Sequence, residues 1–256
     1  MHLGKRFLAL IAAVAATGSL TLGTAAASAG TTLTGRQVAA TRDGLYKIQV
    51  NEWDSRGTAA VITNLGEDFV VSRPFPANAT DGAPSGYPSI YQGCHWGNCS
   101  GGPLATHPAR EASGVTASWS TTQPGSSSVY NAALDAWFNS TPARGRPNCA
   151  ELMVWLGHNG HIQPAGRPAG TATVDGTPYD VWYGKGAWTA ITYDMTGPVA
   201  SVSNLNIGDL ARDAVSRHYM PASCYLVSME AGFEVWHGGQ GLATNYFAVN
   251  VGGSGG

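Results

Sequence analysis

From Leu45 onward, apolar and polar positions alternate with period two in short runs, and clusters of Gly, Pro, Asn and Ser separate the runs. This pattern predicts strands over 45–53, 58–65, 69–72, 89–91, 115–120, 128–138, 150–156, 171–174, 179–183, 188–194, 199–205, 225–236 and 246–251. So many short strands in one domain imply an all-β fold of two antiparallel sheets, best arranged as a jelly roll. One stretch departs from this rhythm. Leu210, Ala214 and Val215 fall near helical spacing, with Asn206 or Asp209 available as a cap, so one short helix is expected over 209–219.

Two of the expected strands carry carboxylates on an unusual face. In 150–156, Leu152, Val154 and Leu156 share an apolar side, leaving Glu151, Met153 and Trp155 on the other. In 225–236, Tyr225, Val227, Met229, Ala231, Phe233 and Val235 are expected to face the core. Ser228, Glu230, Gly232, Glu234 and Trp236 then face away, with Gly232 leaving room for a ligand. A Glu beside an indole suits a cleft that receives sugar rings by their apolar faces. Glycoside hydrolysis needs two carboxyl groups flanking the scissile bond, and these two strands can supply them. The plainer alternative is a pair of half-exposed, idle carboxylates. In 45–53 the polar face carries Lys47, Gln49, Asn51 and Trp53, an indole one pleat from an amide, fit to stack on a sugar or to cover a sheet edge.

The start of the chain changes the picture of where it works. Lys5 and Arg6 precede an apolar run, and Ala27-Ser28-Ala29 follows it, so residues 1–29 are read as an export signal. Later runs fall short of a membrane span. Without those 29 residues, 227 remain as one domain over 30–251, carrying 12 basic and 16 acidic side chains. That weak acidity argues against nucleic acid, which demands a basic stripe. Residues 252–256 have linker composition. They match G-x-S-x-G formally but lack its strand-turn-helix setting.

All four cysteines lie in the exported part, where disulfides persist. Cys94 and Cys99 are close enough to bridge one loop. Cys149 and Cys224 then pair by elimination, although connectivity is not fixed by sequence. A metal site built on Cys94, His95 and Cys99 lacks a second ligand pair, so no metal is expected.

The stretches Glu151-Leu-Met-Val-Trp-Leu156 and Gly232-Phe-Glu-Val-Trp-His-Gly-Gly239 resemble the nucleophile and acid/base motifs of glycoside hydrolase family 12. Asn51-Glu52-Trp53, the run from Tyr91 to Cys99 and the run from Tyr130 to Phe138 extend the similarity over nearly the whole of 46–251. The resemblance implies a jelly roll whose concave sheet forms an open cleft. It also implies retaining cleavage of internal β-1,4-glucosidic bonds without a cofactor. Glu151 would be the nucleophile, Glu234 the acid/base, and Asp135 an aspartate hydrogen-bonded to the nucleophile, the close pair sharing one proton. Asn51 and Trp53 would hold a sugar, with His95 and Met153 near the cleaved ring. Trp96, Trp155 and Trp236 complete the expected substrate-binding set.

The expected partner is a β-glucan such as cellulose, mixed-linkage glucan or xyloglucan, bound by a secreted monomer. Glu151 is expected ionised and Glu234 protonated. Glu230 stands where relatives should have a neutral residue. It lies about 13 Å from Glu234 along an ideal strand, too far to exchange roles, but able to touch substrate further along. Residues 30–42 fit the family poorly and are expected to lack its first strand pairing. The rivals are a xyloglucan-specific enzyme of the same family and a non-catalytic carbohydrate-binding jelly roll.

Overall fold

The computed structural model describes residues 30–53, 58–125 and 127–252. The expected export signal, and all of the tail except Gly252, lie outside the described residues. In chain order the first strands are β1 (Thr31–Thr34), β2 (Val38–Ala40), β3 (Lys47–Gln49), β4 (Ala60–Thr63), β5 (Phe69–Arg73) and β6 (Ser89–His95). Then come β7 (Asn98–Cys99), helix α1 (Pro103–Thr106), β8 (Ala109–Arg110), and the long strands β9 (Val115–Thr122), β10 (Val129–Asn139) and β11 (Ala150–Asn159). A hairpin of β12 (Arg167–Val174) and β13 (Thr177–Lys185) precedes β14 (Thr189–Met195), β15 (Ser201–Asn206) and helix α2 (Ile207–Ser216). After it run β16 (Tyr225–Gly232), β17 (Val235–His237) and β18 (Ala243–Val251).

The strands form two sheets, as the alternation predicts. The smaller runs β1-β4-β5-β18-β9-β15, and the larger runs β12-β13-β14-β11-β10-β16-β6-β3-β2, with β17, β7 and β8 attached. The core lies between them. Leu134, Ala136 and Phe138 of β10 and Leu152, Val154 and Leu156 of β11 meet Trp119 of β9 and Phe247 and Val249 of β18 there. The opposite side chains of β10 and β11 therefore point away from the core, which is what the site is built on.

Helix α2 closes the sandwich because Ile207, Leu210, Ala211 and Ala214 recur at helical spacing and are buried. It begins two residues earlier than expected. Asn206 is the cap, its side chain accepting from the Asp209 N–H at 3.2 Å. The single-turn α1 was not foreseen.

Four further expectations are corrected. The sheets are not wholly antiparallel: β11 and β14 run parallel, Glu151 opposite Ala190 and Trp155 opposite Asp194, because the β12–β13 hairpin lies between them in sequence. Residues 30–42 do pair, Thr31–Thr34 with β4 and Val38–Ala40 with β3. The run 225–236 is not one strand. It breaks after Gly232, and a register shift against β10 near Val227 puts Leu226 rather than Val227 in the core. Finally, no ligand space surrounds Gly232. A Cβ there would stand 2.3 Å from the Pro88 carbonyl oxygen, so its smallness admits β6 instead.

Candidate active site

The residues that alternate away from the core on β10, β11 and the β16–β17 junction line a groove across the larger sheet. One cavity of about 490 Å³ is bounded by Asn51, Trp53, His95, Trp96, Asp135, Glu151, Met153 and Glu234, together with Arg36, Tyr87, Trp137 and Trp188. A second, of about 760 Å³, is bounded by Trp155, Trp236, Ile162 and residues 80–84 and 161–166, and it shares Glu151, Met153 and Glu234 with the first. The two carboxylates thus stand where the cavities meet, in the middle of one long cleft. They come from either side of β10 and are offset along it, Glu151 opposite Trp137 and the Glu234 carbonyl accepting from the Asn131 N–H at 3.0 Å.

Each carboxylate has its own donor. The indole N–H of Trp188 donates to Glu151 Oε2 at 2.9 Å, an arrangement made possible by the parallel register that sets Trp188 immediately before β14. Asn131 Nδ2 donates to Glu234 Oε2 at 2.5 Å, while the Glu234 N–H donates to Asn131 Oδ1 at 3.0 Å. This reciprocal pair fixes Glu234 where the chain passes from β16 to β17. Neither Trp188 nor Asn131 was singled out from sequence. Asn131 lies within the matched run 130–138, and its outward position opposite the acidic strand was the available signal.

Burial raises both groups. Glu151 is pushed up to about 8, with Glu234 and Glu230 adding to the shift and the Trp188 bond opposing it. Glu234 is pushed up to about 7, opposed by Asn131. Burial thus raises both carboxyl groups, Glu151 further than Glu234. Asp135 is raised well above the usual carboxylate range by burial and then by Glu151. No described hydrogen bond joins it to Glu151, contrary to expectation. It stands opposite Met153, whereas Glu151 stands opposite Trp137. Asp135 Oδ1 and the nearby Trp137 Nε1 are both buried without a partner at hydrogen-bond geometry.

The aromatic residues divide into two kinds. Trp53 and Trp96 are 43% and 40% exposed and present open ring surface. Trp53 is oriented by its Nε1 donating to Asn51 Oδ1 at 3.0 Å. Trp155 and Trp236 are nearly covered. Trp155 packs with Ala133, Met153 and Ile162, and Trp236 donates to the Gly82 carbonyl at 2.8 Å. They form floor and wall, with little ring face left for stacking. Glu230 does not reach the cleft. It is wholly buried, accepting from Ser228 Oγ (3.1 Å), Gln49 Nε2 (3.3 Å) and Ser89 Oγ (3.4 Å), and paired with His95 at 2.8 Å.

Both expected disulfides are present, Cys94–Cys99 and Cys149–Cys224, as suits an oxidising compartment. Among the described residues no helix is long and apolar enough to cross a membrane.

A β-sandwich with a long groove, open aromatic rings and a pair of desolvated carboxyl groups at its midpoint is the architecture of a carbohydrate-cleaving enzyme. Comparison with known proteins narrows the class. The profile described as glycosyl hydrolase family 12 matches residues 44–252, and the chain belongs to that family. It is similar to an endoglucanase from Rhodothermus marinus, at 34% identity and a TM-score of 0.80, over 87% of this chain and 99% of that one. A probable cellulase of Mycobacterium tuberculosis is 34% identical over 124 residues, 48% of this chain and 82% of the relative. A probable xyloglucan-specific endo-β-1,4-glucanase of Aspergillus terreus is 29% identical over 141 residues, 54% of this chain and 56% of the relative.

Proposed function

We propose that the chain is a retaining endo-β-1,4-glucanase, with Glu151 as nucleophile and Glu234 as acid/base. The observation that carries this reading is the position of both carboxylates at the junction of two cavities, with cleft extending on either side. Such a cleft accepts a chain in its middle. Retention asks for carboxyl groups about 5–5.5 Å apart, so the side chains of Glu151 and Glu234 must converge over the face of β10 in the cavity that both line.

In the first step Glu234 gives its proton to the glycosidic oxygen while Glu151 attacks the anomeric carbon, forming a glycosyl-enzyme. In the second, Glu234 takes a proton from water, which displaces Glu151. The Trp188 N–H stabilises Glu151 as the carboxylate. Burial, and then the Glu151 charge, raise the Asp135 carboxyl well above its usual range, so the two groups favour holding a proton between them. Asn51 and Trp53 hold a glucosyl unit on one arm of the cleft, and His95, Trp96 and Met153 bound the cleaved ring. The enzyme works as a secreted monomer on soluble β-glucan.

Glu151→Gln and Glu234→Gln should each reduce turnover by about 10²–10⁴-fold on carboxymethyl cellulose, barley β-glucan and xyloglucan. With wild type, viscosity should fall faster than reducing ends appear, and proton NMR should see the β-anomer first. The ranking of the three polymers separates a general glucanase from a xyloglucanase. Wild type that binds these polymers without cutting any of them would overturn the hydrolase reading and leave the binding jelly roll.

A further inference from the structure

Glu230 is a fully buried carboxylate that the hydrolytic steps do not use, and His95 is the one cationic partner described for it. Ser228, Gln49 and Ser89 supply neutral donors only. A buried carboxylate with a single ionic partner holds that partner firmly, because losing it strands the charge. His95 is the residue before a tight turn. Cys94 pairs with Cys99 and His95 with Asn98, leaving Trp96 and Gly97 at the tip with φ of 44° and 84°. Two positive φ angles in a two-residue hairpin loop favour Asn, Asp or Gly at the first place, so a bulky indole at Trp96 runs against local preference.

Packing holds the indole there. Its ring lies 4.5 Å from the His95 ring, 4.7 Å from Trp137 and 6.2 Å from Trp188, the residue that donates to Glu151. Other anchors act elsewhere on the hairpin. The disulfide closes its stem, while Lys47 Nζ and the Tyr91 hydroxyl bond Asn98. Among the described residues Glu230 supplies the hydrogen bond to the His95 ring, which also packs on Tyr91 at 5.7 Å.

We propose that Glu230 is a positioning residue that, by clamping His95, presents Trp96 as a sugar-stacking wall of the cleft. It touches no substrate and acts through two rings. The inference rests on the glucanase reading for its ligand but not for its geometry, and the two can be tested apart.

The test is a double-mutant cycle on barley β-glucan, with near-UV circular dichroism of the Trp96–Trp137–Trp188 cluster read alongside. Glu230→Gln should raise KM about five- to tenfold with kcat within about twofold, the loss of one stacking contact. In a Trp96→Ala background the same substitution should add nothing further. The aromatic dichroism should change in Glu230→Gln as it does in Trp96→Phe. Losses that multiply in the double variant, or a fall in kcat at unchanged KM, would overturn the proposal.

Should Glu230→Gln fail to fold, wild type still decides it. Burial lowers the His95 pKa but the Glu230 charge and hydrogen bond outweigh it, so the value is raised, and the imidazole loses its charge as pH rises through it. His95 shares its cavity with Arg36, Tyr87, Asp135, Glu151 and Glu234 and packs on Tyr91, while Lys47 bonds its hairpin partner Asn98 and Arg146 lies over Trp188. The tryptophan dichroism should change over that titration in a component that is absent from Trp96→Phe, where only the part reporting Glu151 through Trp188 remains. No such component in wild type would refute the clamp, whether or not any glucan is cut.

Discussion

Replacing Trp188 by Phe removes one hydrogen bond and little else. The ring stays against Trp137, now 5.1 Å away, and against Trp96, so the cleft wall is preserved. What is lost is a 2.9 Å bond from the indole N–H to Glu151 Oε2. A hydrogen bond to an ionised group is worth about 1.5–3 kcal/mol. At 1.36 kcal/mol per pKa unit, that bond holds the Glu151 pKa about 1–2 units below where burial alone would set it.

With Glu151 as nucleophile and its pKa above that of Glu234, the reactive protonation state is the minor one. Trp188→Phe should therefore move the alkaline limb of the kcat/KM profile up by that amount. Below the limb, kcat/KM should fall about 10–100-fold, and well above it the two enzymes should converge. The assay is initial rate on barley β-glucan at low substrate across both limbs. A uniform fall with an unmoved limb would refute the reasoning and make Trp188 a packing wall only.

Asn131→Ala should raise the pKa of Glu234, shifting the acid limb upward, and should destabilise the fold by about 1–3 kcal/mol, because the buried Glu234 N–H loses its acceptor; pH–rate profiles and urea melts would check both. Glu151→Gln should be more stable than wild type at neutral pH. The raised carboxyl binds its proton in the folded chain while the unfolded chain has already lost it, so its contribution is complete below about 4.5 and is lost as pH rises toward about 8. Thermal melts at two pH values should show a gain that grows with pH, about 2–4 °C per kcal/mol relieved, and a constant difference would contradict it. Replacing Cys149 and Cys224 by Ala frees a loop with a sequence separation of 75 residues, which should remove about 2–4 kcal/mol in denaturant titration.

Alternation made β11 and β16 visible within 150–156 and 225–236, because a period of two survives in any sequence whose faces meet different solvents. Glu151, Met153 and Trp155 accordingly fall on the side the pattern assigns. What alternation does not carry is which strand lies beside which. Trp188 reaches Glu151 only through the parallel β11–β14 pairing, a contact between residues 37 apart in sequence. Glu230 is in phase with Glu234 and looks equally available to a ligand, yet Gln49, Ser89 and His95 arrive from other strands and enclose it. The bulge near Val227 is likewise silent, since Leu226 and Val227 are both apolar and either satisfies the pattern.

The Cys149–Cys224 bridge has a mechanical meaning beyond chain entropy. Each cysteine immediately precedes a strand, β11 and β16, and these flank β10 on opposite sides. The bridge is therefore a cross-brace over one end of β10, resisting the sliding of its neighbours past it. Glu151 follows its anchor by two residues and Glu234 follows its own by ten, across a strand break. One reacting group is thus bolted beside the brace, and the other sits at the end of a longer lever held at its far end by Asn131. Cutting the brace should leave the first almost where it stands and let the second wander. The interval between them would then become a variable quantity in the reduced protein.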